Sequence, residues 1–117
     1  MAQSNFIRRL ADWGCDTRGA LERMLEDEGF YRDCLAAFYQ DKGFEMLAAQ
    51  LKHCDVRGAF ETSHMLKGVA ANLGLTPLYK IICSMVEPLR AGRLDGVPEL
   101  YQAMMQQRKT LRQCILT

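Results

Sequence analysis

Residues 63–74 read SHMLKGVAANLG, and the rest of the chain is organised around them. They end a proline-free run, residues 55–73, that reads as a helix with Asp55 as its N-cap and Gly74 just past its C-terminus. At about 100° per residue, most apolar and small residues of this run share one broad face. That face predicts the core side, and its members are Val56, Ala59, Thr62, Ser63, Leu66, Val69, Ala70 and Leu73.

His64 falls on the opposite face of this predicted helix, and a strip of unusual composition runs up from it. Lys67 follows one turn later, Gly68 stands at i+4 and Ala71 at i+7. A glycine inside a helix costs about 1 kcal/mol relative to alanine, and a solvated face normally carries Glu, Lys or Gln. The small residues therefore clear space beside the imidazole, and Lys67 places one cation within its reach.

The chemistry of this strip suggests a histidine that carries phosphate between partners. A neutral imidazole is a competent nucleophile near pH 7. A phosphoryl group on it brings negative charge that the nearby ammonium of Lys67 offsets. Helical geometry alone leaves a plainer alternative open and favours it: a solvated His64 beside a glycine that the helix merely tolerates.

The run Ser-His-x-Leu-Lys-Gly-x-Ala-Ala-Asn-Leu-Gly resembles the signature of the histidine-containing phosphotransfer (HPt) domains of multistep two-component signalling. Weaker similarity extends over residues 16–105, where residues 27–38 resemble the family's upstream helix and residues 91–92 its break before the last helix. The whole run is much more specific than its His-x-x-Lys-Gly core. The matching residues are His64, Leu66, Lys67, Gly68, Ala70, Asn72, Leu73 and Gly74.

The resemblance implies a phosphoryl-group carrier and not an enzyme. His64 is then the phosphorylated histidine, which accepts the group from a receiver-domain aspartyl phosphate and passes it to another receiver. Lys67 is expected to stabilise the phosphate, and Gly68 to give the receiver close approach. The helical positions of Phe60 and Ala71, and not the resemblance, make them further candidates for the docking surface. The implied partners are response-regulator receiver domains or a hybrid sensor kinase. No cofactor is expected on this chain, because the receiver supplies Mg²⁺.

Two further expectations concern the phosphate. Some family members carry a polar residue in the following helix that faces the histidine, and counting along this chain places Val86 there. A second hydrogen bond to the phosphate is therefore not expected. The chain also shows no Gly-rich phosphate loop, Walker pattern or kinase motif set, so it should not bind ATP or phosphorylate itself.

The 117 residues fit one domain, residues 1–117, and its pattern is helical throughout. Three prolines and no sustained period-2 alternation argue against strands. We predict an all-α fold, an up-down antiparallel four-helix bundle over residues 43–117 with short flanking helices over residues 1–42. Threonine and proline in sequence predict Thr76 as N-cap of its helix and Pro77 as the first helical residue. The bundle helices are expected to begin near Phe44, Asp55, Thr76 and Pro98.

Composition excludes several function classes. The net charge of +1 gives no bulk attraction to nucleic acid or to an anionic membrane. No apolar run reaches the length of a transmembrane helix, and residues 1–10 lack the apolar segment of a secretory signal. Five cysteines without a CxxC pair indicate reduced thiols, hence a cytoplasmic protein, which we expect to be a monomer. The initiating Met1 favours a free-standing protein.

Two alternatives from other classes stay open. The first is a helical adaptor of the same fold, which would bind a partner through Phe60, Gly68 and Ala71 without phosphate on His64. The second is a metal or thiol-redox bundle that uses His53 with some of the cysteines. No metal site is predicted, because His53 has no neighbouring ligand besides Cys54. The cysteines are Cys15, Cys34, Cys54, Cys83 and Cys114.

Overall fold

The computed structural model describes residues 4–116, which form seven α-helices and no strand. Residues 1–3 and 117 of the predicted domain, and with them the start of the segment tested for a secretory signal, lie outside the described residues. None of the helices described here is long and apolar enough to cross a bilayer. The helices are α1 (Asn5–Trp13), α2 (Thr17–Arg23), α3 (Glu28–Tyr39), α4 (Gly43–Lys52), α5 (Val56–Asn72), α6 (Thr76–Arg90) and α7 (Val97–Ile115).

Helices α4 to α7 pack in chain order, each against the next. Their connections are short, so neighbouring helices run antiparallel. The hydroxyl of Tyr101 on α7 donates a hydrogen bond of 2.9 Å to the carbonyl oxygen of Phe44 on α4, which joins the last helix to the first. The predicted all-α bundle is confirmed. Helix α3, predicted as a flanking helix, packs along α7 and contributes Leu35 and Phe38 to the core.

The ends of α5 follow from residues that the sequence singled out. The Asp55 carboxylate accepts a hydrogen bond of 3.0 Å from the backbone N–H of Gly58, which caps the first turn. Gly74 follows the helix in the left-handed conformation, with φ of 70°. Both predicted ends of the central helix are confirmed.

One face of α5 is buried and the opposite face is open. Ala59, Leu66 and Ala70 are fully buried, and the Ser63 hydroxyl satisfies its burial by donating to the carbonyl oxygen of Phe60 at 3.1 Å. Val56 and Val69, which belong to the predicted core face, are only half-buried at its edges. The orientation of α5 that helical periodicity predicted is therefore confirmed, and His64 is exposed.

Helices α1 and α3 form hydrogen bonds with α7, the last helix of the bundle. Trp13 on α1 donates its indole N–H to the Gln107 side-chain oxygen on α7 at 2.6 Å, and Arg9 donates to the carbonyl oxygen of Cys114 at 3.0 Å. Arg32 on α3 donates to the carbonyl oxygen of Ile115. Arginines from α1 and α3 thus satisfy carbonyl groups at the C-terminal end of α7, where a helix has no internal donors.

The predicted start of α6 is wrong by one residue. Thr76 is the first helical residue and Leu75 occupies the N-cap position. The Thr76 hydroxyl lies 3.5 Å from the carbonyl oxygen of Gly74, to which it donates, and it does not accept from an N–H of the first turn. Pro77 accordingly stands at the second helical position, where its missing N–H is still no loss.

Candidate functional site

His64 lies in the middle of α5 with its imidazole exposed to solvent. The ring stacks on that of Phe60 one turn earlier, with centroids 5.6 Å apart and planes inclined by 20°. Among residues 4–116, no side chain or backbone group hydrogen-bonds the imidazole. Phe60 therefore holds one face of the ring while its nitrogen atoms remain accessible.

The strip above His64 is open because of Gly68. A Cβ atom built at this position would meet nothing within 4 Å, so no neighbouring side chain requires glycine here. Ala71 continues the opening and is exposed, although its carbonyl oxygen accepts a hydrogen bond of 3.2 Å from Arg23. The structure thus brings His64, Gly68 and Ala71 onto one unobstructed face, as the sequence predicted.

Lys67 supplies positive charge beside this opening. Its side chain is half-buried, and within the described part of the chain it forms no ion pair. An ammonium that no carboxylate neutralises is free to interact with an anion on the neighbouring ring. The role of Lys67 in stabilising a phosphate on His64 stays a prediction.

Arg90 is a residue of this site that the sequence analysis missed. Its guanidinium carbon lies 5.2 Å from the centroid of the Phe60 ring, and its Nε atom lies 3.6 Å from a carboxylate oxygen of Glu87. His64, Phe60 and Arg90 thus form a row across α5 and α6. The antiparallel connection offered a signal, because Phe60 and Arg90 lie equally far before and after Leu75 in the turn that joins the two helices.

Val86 does not stand on the surface of the site. The side chain is fully buried in the core, so it neither contacts an exposed group on His64 nor donates a hydrogen bond to it. The exposed residues of α6 on either side of it are Ser84, Glu87 and Arg90. Arg90 is therefore the charged residue of α6 that contacts Phe60, the ring on which His64 stacks.

Two of the cysteines, Cys15 and Cys114, lie near each other, and burial governs the reactivity of both thiols. Burial, and to a smaller extent the neighbouring Cys114, raises the pKa of the Cys15 thiol to about 12. Burial likewise raises the pKa of Cys114. A thiol kept neutral in this way is a poor nucleophile and a poor metal ligand. Within residues 4–116, no three His, Cys, Asp or Glu side chains converge as a metal-binding group, around His53 or elsewhere.

A known structure shares this architecture. The chain is similar to the crystal structure of histidine-containing phosphotransfer protein B (HptB) from Pseudomonas aeruginosa PAO1, with a TM-score of 0.78 and 25% sequence identity. The match covers 86% of this chain and 90% of that one. Neither a family model nor a curated protein matches the sequence. The structural match extends over nearly the whole bundle, and the run that resembles the HPt signature lies on its open face, so the comparison supports the resemblance to the histidine-containing phosphotransfer family.

Proposed function

We propose that this protein relays phosphoryl groups in a two-component pathway and that His64 is the residue that carries them. The observation that supports this most directly is the exposed imidazole beside Gly68, where a Cβ atom would have no neighbour. A phosphocarrier needs such an opening, because the donor and acceptor residues belong to other proteins. Similarity to the structure of a histidine-containing phosphotransfer protein supports the same assignment.

The proposed reaction is a reversible transfer between nitrogen and oxygen. A ring nitrogen of neutral His64 attacks the phosphorus of a receiver's aspartyl phosphate with its lone pair, so an N–P bond forms. The P–O bond to the aspartyl group breaks, and the carboxylate leaves with the electron pair. The same steps in reverse deliver the group to a second receiver. Phosphoryl transfer of this kind depends mainly on positioning and on electrostatic stabilisation.

The residues around His64 divide this work. Phe60 fixes the plane of the ring by stacking, which limits the orientations that its nitrogen atoms sample. Lys67 offsets the negative charge of the phosphorylated state. Gly68 and Ala71 admit the receiver's active site to the ring. The receiver supplies Mg²⁺ and the acidic cluster that binds it, so this chain requires no metal or other cofactor.

The proposal also predicts that the protein performs no phosphoryl transfer without a partner. It lacks the sequence motifs of ATP binding, so we expect no transfer from ATP in the absence of a kinase. Its partners are response-regulator receiver domains, free or within a hybrid sensor kinase, and not nucleic acid or membrane. We expect a cytoplasmic monomer, because one open strip serves both the donor and the acceptor.

The test is phosphoryl transfer from purified receiver domains of the same organism. Each receiver is first labelled at its aspartate with radioactive acetyl phosphate and Mg²⁺, then freed of the reagent and mixed with this protein. We expect label on the protein that is lost in acid and kept in base, as a phosphoramidate requires. His64→Gln should abolish it. His53→Gln is the matched control, because it changes the chain's other histidine and should leave the label intact.

The same variants separate the carrier from an adaptor of the same fold. An adaptor that binds through Phe60, Gly68 and Ala71 needs no ring nitrogen, so His64→Gln would leave its signalling output unchanged. A relay stops when His64 is replaced, although the variant still binds receivers. Failure of every receiver to label the wild-type protein, or label that persists in His64→Gln, would contradict the assignment of His64.

A further inference from the structure

Two methionines stand exposed on helices that pack against each other. Met46 on α4 is 52% exposed, and Met65 on α5 is 43% exposed. The other methionines within residues 4–116 are buried or half-buried: Met24, Met85, Met104 and Met105. Oxidation of an exposed thioether to the sulfoxide turns a flexible apolar side chain into a polar one. In this part of the chain, oxidants therefore reach the sulfur atoms of Met46 and Met65 first.

The methyl end of Met65 lies over the start of α4. A Cβ atom built at Gly43, the first residue of α4, would stand 3.1 Å from Met65 Cε and 3.1 Å from Leu66 Cδ2. A side chain at this buried position would therefore displace the methyl group. Glycine here leaves a shallow cradle, formed with Leu66 and Asp41, that holds the end of the Met65 side chain.

Asp41 brings a carboxylate into the same cradle. Its Oδ1 atom would stand 2.9 Å from a Cβ atom at Gly43, and it accepts a hydrogen bond of 2.7 Å from the Gly43 backbone N–H. A neutral methyl group fits beside this oxygen. A sulfoxide oxygen carries partial negative charge and, like the carboxylate, only accepts hydrogen bonds, so the two repel each other. The tight contacts at Gly43 also leave no room for an added atom.

We propose that Met65 is a redox-sensitive modification site, where oxidation releases the side chain from the cradle and slows phosphoryl transfer at His64. A lone pair of the Met65 sulfur attacks one oxygen of hydrogen peroxide, so an S–O bond forms and the O–O bond breaks. The sulfur is oxidised, the peroxide is reduced, and water leaves after a proton moves between the two oxygen atoms. The consequence for transfer rests on the proposed function, whereas the modification itself does not.

The released side chain remains next to the imidazole. Met65 directly follows His64, and both residues are exposed on adjacent sides of α5. Side chains of a helix point back over the preceding turn, where the exposed carboxylate of Glu61 lies between these two positions. Away from the carboxylates, a sulfoxide oxygen can accept from the imidazole N–H of His64. That contact draws the ring from the orientation in which it stacks on Phe60.

Peroxide treatment of matched variants tests this site. Purified protein is exposed to hydrogen peroxide and then to dithiothreitol, which reverses disulfides and sulfenic acids but leaves methionine sulfoxide. Peptide mass mapping locates each added oxygen atom. Met65→Leu keeps the apolar bulk without the sulfur, and Met46→Leu is the matched control, because it removes the more exposed thioether. Met65→Gln imitates the polarity of the sulfoxide without any oxidant.

We expect transfer from a labelled receiver to slow about tenfold in oxidised wild type and oxidised Met46→Leu, and to stay unchanged in oxidised Met65→Leu. Met65→Gln should be slow without peroxide, and methionine sulfoxide reductase should restore the oxidised wild type. Unchanged transfer in wild type that carries the sulfoxide at Met65 would overturn the inference. Equal slowing in Met65→Leu, or no oxygen at Met65 when Met46 is fully oxidised, would also overturn it.

Thermal melting tests the release from the cradle without any phosphoryl transfer. Loss of the methyl contacts at Gly43 leaves a small cavity, so the Tm of oxidised wild type and oxidised Met46→Leu should fall by about 4 °C. Met65→Leu should melt at the same temperature before and after oxidation. A constant Tm in protein oxidised at Met65 would contradict the release. Absence of label on wild-type His64 would count against the proposed function alone, because mass mapping and melting still decide the modification site.

Discussion

The middle and the C-terminal end of α5 differ in how far other parts of the chain cover them. Around His64 the surface is open, and a Cβ atom at Gly68 would meet nothing within 4 Å. At the end of the helix, Arg23 donates to the carbonyl oxygen of Asn72 at 2.8 Å, and the buried hydroxyl of Tyr31 donates to that of Leu73 at 2.7 Å. Side chains from α2 and α3 thus satisfy the carbonyl groups at the end of α5, whereas no side chain lies against Gly68 in its middle. The difference indicates that the closed end serves folding, whereas under the proposed function the open middle serves a partner.

Gly74 and Gly68 differ in the same way as the two regions in which they lie. Gly74 has φ of 70°, and a Cβ atom there would collide with the carbonyl oxygen of Asp16, whose N–H donates to the Gly74 carbonyl at 2.8 Å. Gly68 is helical and unobstructed. The fold therefore demands the first glycine and only tolerates the second, so substitutions at the two positions should act on different properties.

The largest effect on stability is expected at the closed end, for Gly74→Ala. The left-handed backbone costs an L-residue about 1–2 kcal/mol, and the collision with Asp16 adds to it, so we expect a loss of about 3 kcal/mol. The free energy of unfolding from urea titration measures it. Gly92→Ala is the control, because Gly92 has φ of 78° but nothing within 4 Å of a Cβ atom. Equal losses in the two variants would show that the contact with Asp16 is unimportant.

Tyr31→Phe should have the next largest effect. It removes the hydroxyl that satisfies the Leu73 carbonyl in a fully buried setting, and such a loss costs about 1–3 kcal/mol. Tyr39→Phe is the matched control, because the Tyr39 hydroxyl has no hydrogen-bond partner within residues 4–116. Urea titration of both variants gives the difference. At a saturating concentration of receiver, phosphoryl transfer should stay at the wild-type rate in both variants. A large loss of rate in folded Tyr31→Phe would show that the closed end of α5 also affects its open middle.

The sequence predicted one of these regions more completely than the other. The open face was visible from local spacing, because His64, Lys67, Gly68 and Ala71 belong to one helix whose periodicity fixes their placement. The residues that close the end of α5 come from α2 and α3, and no spacing within α5 reveals that Arg23 and Tyr31 reach it. Local pattern thus gives the face of a helix, and tertiary packing gives its ends.

The same distinction explains the misplaced and the missed residues of the site. Arg90 lies on α6, so its contact with Phe60 depends on how two helices align. Val86 was placed opposite His64 by counting along α6, but a count does not tell which of neighbouring residues faces the core.

The smallest effect on stability, and the one of opposite sign, is expected for Gly68→Ala. Alanine is favoured over glycine inside a helix by about 1 kcal/mol, and the new Cβ atom has free space, so the variant should be more stable than wild type. Phosphoryl transfer to His64 should nevertheless slow about tenfold, and about a hundredfold in Gly68→Leu, because displacement of the reacting groups by an ångström has effects of that size.

Urea titration and rapid-quench transfer kinetics on the same preparations test both halves of this expectation at Gly68. Gly29→Ala, on the exposed first turn of α3, is the control for helix stabilisation at a distance from the strip and should transfer at the wild-type rate. A variant that is more stable and yet slower can only have lost something outside the folded chain, namely the approach of its partner. If Gly68→Leu transferred as fast as wild type, the gap beside His64 would have no role in docking, and the contrast between the two parts of α5 would reduce to one of solvent exposure.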